Sequence, residues 1–276
     1  MAGGEEASPA IPRPFLKWAG GKGQLLEQYG PLFAQRFKRY HEPFVGGGAV
    51  FFHLRPARAA LSDDNTELIG CFQAVRDDVR GVIDALREHV YERDHFYAVR
   101  ALDPATLPPA KRAARTIYLN RSCFNGLYRV NAQGRFNVPF GRYTNPRLVD
   151  APNLRACARA LRRVRLDCSS FTGVLERARR GDFVYLDPPY NPTSKTASFT
   201  GYSAGGFGPD KQRELARVYA ELDRRGILVM LSNSDTPLVR ELYGGLRIVE
   251  VRAARAINSK GSRRGAVTEL VILNYR

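Results

Sequence analysis

Long apolar runs are missing from this 276-residue sequence. No stretch nears the roughly 18 consecutive apolar residues of a membrane-spanning helix, so no membrane is expected as a partner. The start, MAGGEEASPAIPRP, has no basic opening and no apolar core, and it reads as a frayed tail rather than a secretory signal. Cysteine is scarce. The four, at positions 71, 123, 157 and 168, lack the short spacing of a zinc site, and His41, His53, His89 and His95 do not complete one. No metal is therefore expected, the thiols read as buried and reduced, and the histidines read as structural or exposed. Acid is also short, with 43 Lys+Arg against 27 Asp+Glu and a formal net charge of +16. At 44% hydrophobic and 25% charged the composition is globular, which excludes a mainly disordered chain. The length suits one large domain or two small ones.

The basic excess is uneven. Between Arg100 and Arg165 there are 14 basic residues and only two acids, Asp103 and Asp150, whereas Ala57 to Val99 holds five basic residues and nine acids. Arginine dominates the basic stretch and is interleaved with Tyr118, Phe124, Tyr128, Phe136, Phe140 and Tyr143. A solvated helical face would favour Lys with Glu partners, so arginines among aromatics without counter-charges predict a polyanion groove, with Arg112 and Arg115 among its phosphate contacts. A genome that prefers Arg explains the choice of Arg over Lys, but not the missing acids.

The order of local patterns predicts a doubly wound α/β fold. A helical pattern at Gln24–Phe37 precedes a strand at Tyr40–Val45, the loop Gly46-Gly47-Gly48 and a helix from Ala49 to Leu54. A strand at Ala59–Ser62 then stops at Asp63-Asp64-Asn65, with a helix from Thr66 to about Phe72. Strand, glycine loop, helix, strand and acid in that order mark a nucleotide-binding sheet. Residues 73–115 read as helices broken at Pro104 and Pro108-Pro109, and Asn120–Arg147 as turns and short extended pieces. Sheet signals return at Val164–Leu166, Asp182–Leu186 and Gly226–Leu231, and antiparallel strands are expected at Arg247–Val251 and Val267–Asn274 around a basic loop, Arg252–Arg264. The expected plan is a mixed doubly wound sheet built from residues 10–72 and 160–276, interrupted by a mainly helical insert at 73–159.

The strongest motif is Asp187-Pro188-Pro189-Tyr190 at the end of an apolar strand. Ligands of such sheets bind just beyond strand ends. Two prolines supply rigid carbonyls without matching donors, Asp187 adds a charged acceptor, and Tyr190 adds a stacking face. Together they suit a planar amine; the plain alternative is a strand exit with a Pro-Pro stop. Gly46-Gly47-Gly48 misses the third glycine of a dinucleotide fingerprint, and Gly20-Gly21-Lys22-Gly23 misses the phosphate-loop pattern. What they offer is close approach for a small ligand. Asp63 stands where a carboxylate meets a ribose hydroxyl, although a helix cap is an equal reading.

In sequence order, Trp18-Ala19-Gly20-Gly21-Lys22, Glu42 to Gly48, Asp63-Asp64-Asn65, Asn120 to Tyr143 and Asp187 to Tyr190 resemble the Dam-type N6-adenine DNA methyltransferases over residues 14–275. The resemblance implies a Rossmann-like methyltransferase fold with a target-recognition insert. It also implies methyl transfer from S-adenosylmethionine to adenine N6 in duplex DNA, within GATC or a site sharing its GA start, by base flipping. Asp187 and the Pro188 carbonyl would accept the two amine hydrogens, beside Pro189, with Tyr190 stacked on the base. Trp18, Lys22, Asp63 and Asp187 would contact the cofactor, in a pocket formed with Glu42, Phe44, Gly46 and Gly48. For DNA the resemblance implies Lys17, Asn120, Arg121, Asn125, Leu127, Arg129 and Tyr143, with Phe124 as a wedge where the family often has Tyr. An N4-cytosine methyltransferase, an RNA or protein methyltransferase, and a DNA-binding module without catalysis are the weaker readings. The expected setting is a cytoplasmic, nucleoid-associated monomer of bacterial or phage origin, with room for a cognate restriction endonuclease as partner.

Overall fold

The computed structural model describes residues 10–190, 207–254 and 266–276. The tail at 1–9 and the basic loop from residue 255 to 265 lie outside them. In chain order the elements are α1 (Leu26–Tyr29), β1 (Tyr40–Glu42), α2 (Ala49–Leu54), β2 (Ala59–Asp63), α3 (Thr66–Asp77), α4 (Val79–Arg87), α5 (Arg93–Ala101) and α6 (Pro109–Ser122). They continue with α7 (Ala151–Leu161), β3 (Val164–Cys168), α8 (Val174–Arg177), β4 (Phe183–Leu186), α9 (Pro209–Arg224), β5 (Leu228–Ser234), α10 (Pro237–Leu242), β6 (Arg247–Ala254) and β7 (Ala266–Leu273).

One seven-stranded sheet runs β3-β2-β1-β4-β5-β7-β6. The first five strands are parallel, and β7 is antiparallel to both β5 and β6. This mixed, doubly wound sheet with flanking helices is the Rossmann-like arrangement of methyltransferases. Parallel central strands are covered on both faces and so read as continuous apolar runs; Phe183, Val184, Tyr185 and Leu186 are all fully buried. Their side chains alternate. Phe183 and Tyr185 join a core with Phe15, Phe51 and Phe72, while Val184 and Leu186 join Leu215, Tyr219 and Ile272 on the other face. Each such ring or branched chain contributes about 1.5–3 kcal/mol by leaving water. Strand order reverses between β1 and β4, which opens a crevice at their carboxyl ends.

Between β2 and β3 lie five helices, of which α6 is central. Pro109 suits its first turn, where no N–H partner is needed. Its sides from Ala113 to Asn120 are buried against α3, α4 and α5. The core is continuous from Phe15 through Tyr118 and Phe136 to Leu154. The expected boundary at 72/73 falls inside α3, because Ala74 and Val75 continue its buried face. The segment before Trp18 is tied to these helices. Arg13 N donates to Asn153 Oδ1 at 3.0 Å, Arg13 Nη2 meets Asp150 Oδ2 at 2.7 Å, and Arg121 Nη2 donates to Phe15 O at 3.0 Å.

Several local expectations are corrected. The helical pattern at 24–37 becomes α1 between two 3-10 turns, since Gly30-Pro31 cannot continue it. β1 stops at Glu42 because Pro43 cannot join the ladder. Three thiols are buried, but Cys168 is exposed. Part of the basic stretch faces inward: Arg115, 3% exposed, donates to Val99 O and Arg100 O at 3.1 and 3.0 Å. Half-buried Arg112 reaches Ala105 O and Leu107 O, and Arg100 reaches Val138 O. Arg112 and Arg115 therefore hold helix ends and loops together, and buried Arg115 is not open to a phosphate. Of the histidines, His41 is buried against Asp182 at 2.9 Å and His89 meets His95 at 3.0 Å.

Candidate active site

The crevice beyond β1, β2 and β4 is a cavity of about 550 Å³. It brings together all of the cofactor and catalytic residues singled out from the sequence: Trp18, Lys22, Glu42, Phe44, Gly46, Gly48, Asp63, Asp187, Pro188, Pro189 and Tyr190. Ser170, Phe171, Phe207 and Lys211 also line it, and no sequence motif pointed to them.

The glycine loop is held from two sides. Gly46 has φ +48°, and a Cβ there would lie 2.8 Å from Trp18 Cδ1, so the indole occupies the space a side chain would need. Gly46 N donates to Asp63 Oδ2, and Asn65 N to Asp63 Oδ1, both at 3.1 Å. Asn65, not Asp63, caps α3, accepting from Leu68 N at 3.0 Å. Asp63 thus splints the loop while keeping its place on the cavity wall. Burial pushes its carboxyl up to about 6, against the pull of the two amides.

Glu42 forms part of the floor at 2% exposure and accepts from Tyr40 Oη at 2.8 Å. Burial pushes its carboxyl up to about 8, opposed by Tyr40 and Lys22. Lys22 is itself buried; its ammonium lies 2.7 Å from Asp187 Oδ1, donates to Gly20 O at 2.6 Å, and sits 4.8 Å from the centre of the Tyr190 ring. Ser232 Oγ, at the end of β5, donates to the same Asp187 Oδ1 at 3.0 Å and lies 2.9 Å from Tyr185 Oη. Burial raises the Asp187 carboxyl, and Lys22 and Ser232 pull it back. Both partners use Oδ1, so among the described residues Oδ2 has none.

The motif loop is fixed by Gln212 and Glu269, to which no sequence motif pointed, with Asn233 behind Gln212. Pro189 O accepts from Gln212 Nε2 at 3.2 Å, and Gln212 Oε1 accepts from Asn233 Nδ2 at 3.0 Å. Tyr190 Oη donates to Glu269 Oε2 of β7 at 2.6 Å, which sets the plane of the ring. The Pro188 carbonyl takes no hydrogen bond from the described residues. At the far wall Phe44 stacks on Phe171, with centroids 5.3 Å apart and an interplanar angle of 22°, and Phe207 packs edge-on against Phe44.

Next to this cleft is a surface formed by residues 17 and 124–143. Phe124 is 51% exposed, and Asn125 stands at the turn with φ +55°. Lys17 packs where a Gly126 side chain would go and places its ammonium 4.8 Å from the centre of the Tyr143 ring. Arg129 is exposed and aligned by Asn137 Oδ1 at 2.7 Å, while Leu127 is half-buried against the core. Two residues expected on this surface are turned toward the chain. Asn120 is fully buried: its amide brackets Lys17 N and O at 2.7 and 2.9 Å and donates to Gly126 O at 3.0 Å. Arg121 is half-buried on Phe15 O. Both groups are used to hold the chain itself. Trp18, in the cleft, stacks on Tyr128 behind this surface at 5.0 Å and 27°.

Among the described residues no helix is long and apolar enough to cross a membrane, and no group of three or more His, Cys, Asp or Glu could hold a metal ion. The family model of D12 class N6 adenine-specific DNA methyltransferases matches residues 18–257. The chain is 40% identical over 271 residues to the Type II methyltransferase M1.LlaDCHI of Lactococcus lactis subsp. cremoris, covering 95% of each. It is 42% identical over 286 residues to the Type II methyltransferase M.MjaIII of Methanocaldococcus jannaschii, covering 95% of this chain and 99% of that one. It is 37% identical over 265 residues to the DNA adenine methylase of Escherichia coli (strain K12), covering 95% of each. Sheet order, cleft and match over most of the length agree: the chain belongs to the D12 class of N6 adenine-specific DNA methyltransferases.

Proposed function

We propose that the cleft binds S-adenosylmethionine beside an adenine drawn out of duplex DNA, and that Asp187, Pro188 and Tyr190 hold this base for transfer to its N6. The observation that carries the reading is the one-sided use of Asp187. Lys22 and Ser232 both take Oδ1, which leaves Oδ2 and the Pro188 carbonyl as two acceptors for the two N6 hydrogens. An exocyclic amine conjugated with its ring is a weak nucleophile, and accepting both hydrogens turns its lone pair out of conjugation. The Tyr190 ring, fixed by Glu269, stacks on the extruded base, because N6 is out of reach inside the duplex. Rate then comes from positioning and electrostatics.

The residues present fit the cofactor. Asp63 suits a ribose diol, Asp187 suits the positive end of the ligand, Glu42 offers it a hydrogen-bonding carboxyl, and the stacked Phe44 and Phe171 give a wall for a purine. Gly46 permits the close approach of such a ligand beside Trp18. Bound S-adenosylmethionine supplies a sulfonium methyl, so the reaction requires neither a covalent enzyme nucleophile nor a metal.

Residues 73–159 serve as the target-recognition insert. Arg129 reads a guanine, Leu127 meets a thymine methyl, Lys17 reads the first guanine, Asn125 and Tyr143 complete the contacts, and Phe124 wedges the stack open. GATC, or a site beginning GA, is the proposed target; the relatives named DNA adenine methylase support it. The relatives named Type II methyltransferase support a cognate endonuclease as partner. The deciding experiment is plasmid methylation by the purified protein followed by single-molecule sequencing. Methyladenine confined to GA-containing sites is expected, and methyladenine outside any GA context overturns the assigned readers.

A further inference from the structure

The parallel strands begin at the end of the sheet opposite the cleft, and four adjacent ones are led in by arginine. Arg163 precedes β3, Arg58 precedes β2, Arg39 precedes β1, and Arg180 stands three residues before β4. Register aligns Arg163, Arg58 and Arg39, since Val164 pairs with Ala59 and Ala59 with Tyr40; Tyr40 pairs with Phe183, so Arg180 stands two residues beyond the level of Arg39, in the turn before β4. The alignment extends past the strand starts, with Tyr40 N donating to Arg58 O at 3.0 Å and Phe183 N to Arg39 O at 2.9 Å. At an inter-strand spacing of about 4.8 Å, Arg163, Arg58 and Arg39 form a row roughly 10 Å long, with Arg180 beyond its end. All four are exposed, as are the flanking Lys38 and Arg162.

None of these six cations has an ion-pair partner among the described residues, whereas several exposed arginines on the helices do. On the helices, Arg80 faces Asp84, Arg213 faces Asp210 and Arg224 faces Glu221. The carboxylate level with Arg39 on the neighbouring strand, Asp182, is 5% exposed and turned inward, to His41 at 2.9 Å and Arg179 N at 3.0 Å. The row ends at β5, where Glu221 also pairs with Arg225. The large exposed apolar side chains, Ile11, Val90, Leu102 and Phe124, lie in none of these turns, so the aromatic or aliphatic anchors of a protein interface are missing. A cationic row without apolar anchors suits a polyanion, and guanidinium groups match phosphate oxygens in pairs.

We propose that this row binds the phosphate backbone of a second duplex DNA segment, independent of its sequence. One molecule then holds a duplex at the cleft and another at the far end of the sheet, and it passes between segments without first dissociating. Counterion release drives the second contact and makes it salt-sensitive.

The test uses the full chain and two triple variants, Arg39→Glu/Arg58→Glu/Arg163→Glu and the same three positions changed to Gln. Dissociation from a labelled short duplex is followed while unlabelled duplex is added, and sedimentation reports complexes of one protein with two duplexes. The unaltered protein should dissociate faster as competitor DNA rises and should form the two-duplex complex at low salt. Both variants should lose at least about tenfold of the competitor-driven rate, and the log–log salt slope for the second duplex should fall by about 2–3, at about 0.9 per lost contact. Single-turnover methylation of a short duplex should stay within twofold. Competitor-driven dissociation that persists in both variants, or is absent from the unaltered protein, overturns the proposal. So does a row that binds polyglutamate in preference to DNA, or a Gln variant that has lost single-turnover methylation.

Discussion

Lys22 and Asp187, 165 positions apart in sequence, meet in an ion pair of 2.7 Å inside the cleft. The ammonium opposes the burial that raises the Asp187 carboxyl. Replacing Lys22 by Met should therefore raise the Asp187 carboxyl further and move the acid limb of kcat/KM to higher pH by about one unit or more. A pH–rate profile of Lys22→Met that overlies the wild-type profile would show that the ammonium does not tune Asp187.

Asp187→Ala should leave the fold intact and lower single-turnover methylation by at least about 10²–10³-fold, the usual loss on removing a preorganised acceptor. Ser232→Ala removes only the second grip on Oδ1 and should cost less. A rate for Asp187→Ala within tenfold of wild type would remove Asp187 from the chemistry.

Glu42 carries a stability signature. Its carboxyl is held near 8 in the folded chain against 4.5 for the free group. Its contribution is thus fully present below about pH 4.5 and is lost as pH rises through about 8. Glu42→Gln keeps an acceptor for Tyr40 and removes that titration. Thermal unfolding from pH 5 to 9 should show the wild type losing stability relative to Glu42→Gln toward the alkaline end, by several degrees. Parallel curves would place the Glu42 carboxyl in its ordinary range.

Phe124→Ala should slow base extrusion more than tenfold, read by 2-aminopurine fluorescence in the target position, and Phe124→Tyr should stay within about twofold. Arg129→Ala should relax specificity at one guanine by about 1–3 kcal/mol, while affinity for unrelated duplex changes little. Equal weakening on every sequence would make Arg129 a backbone contact.

Asn120→Ala removes three hydrogen bonds from a fully buried amide and should cost about 1–3 kcal/mol of stability. It should also raise KM for DNA more than it lowers kcat, because Lys17 and Gly126 lose their common anchor. The opposite split would assign Asn120 to the cofactor loop alone.

The sequence made the sheet and the cleft readable because both follow local rules. Buried parallel strands such as Phe183–Leu186 announce themselves as apolar runs, and their ligand loops by Gly46–Gly48 and Pro188-Pro189. What stayed hidden depends on distant partners. Glu269 lies 79 residues from Tyr190, and Gln212 lies 23 from Pro189. No local pattern shows that Arg115 turns inward to Val99 and Arg100, or that Asn120 is enclosed, since an amphipathic helix buried nearly all round gives no polar face to read.

Residues Arg13 to Trp18 are bonded to Asn153, Asp150, Arg121, Asn120 and Tyr128, all on the far side of β2 in sequence. Exchange of residues 73–159 between relatives to transplant a specificity would cut every one of these ties. The portable unit is the recognition segment together with its N-terminal strap, and a chimera that moves both should keep a donor's sequence preference where a chimera moving the segment alone does not.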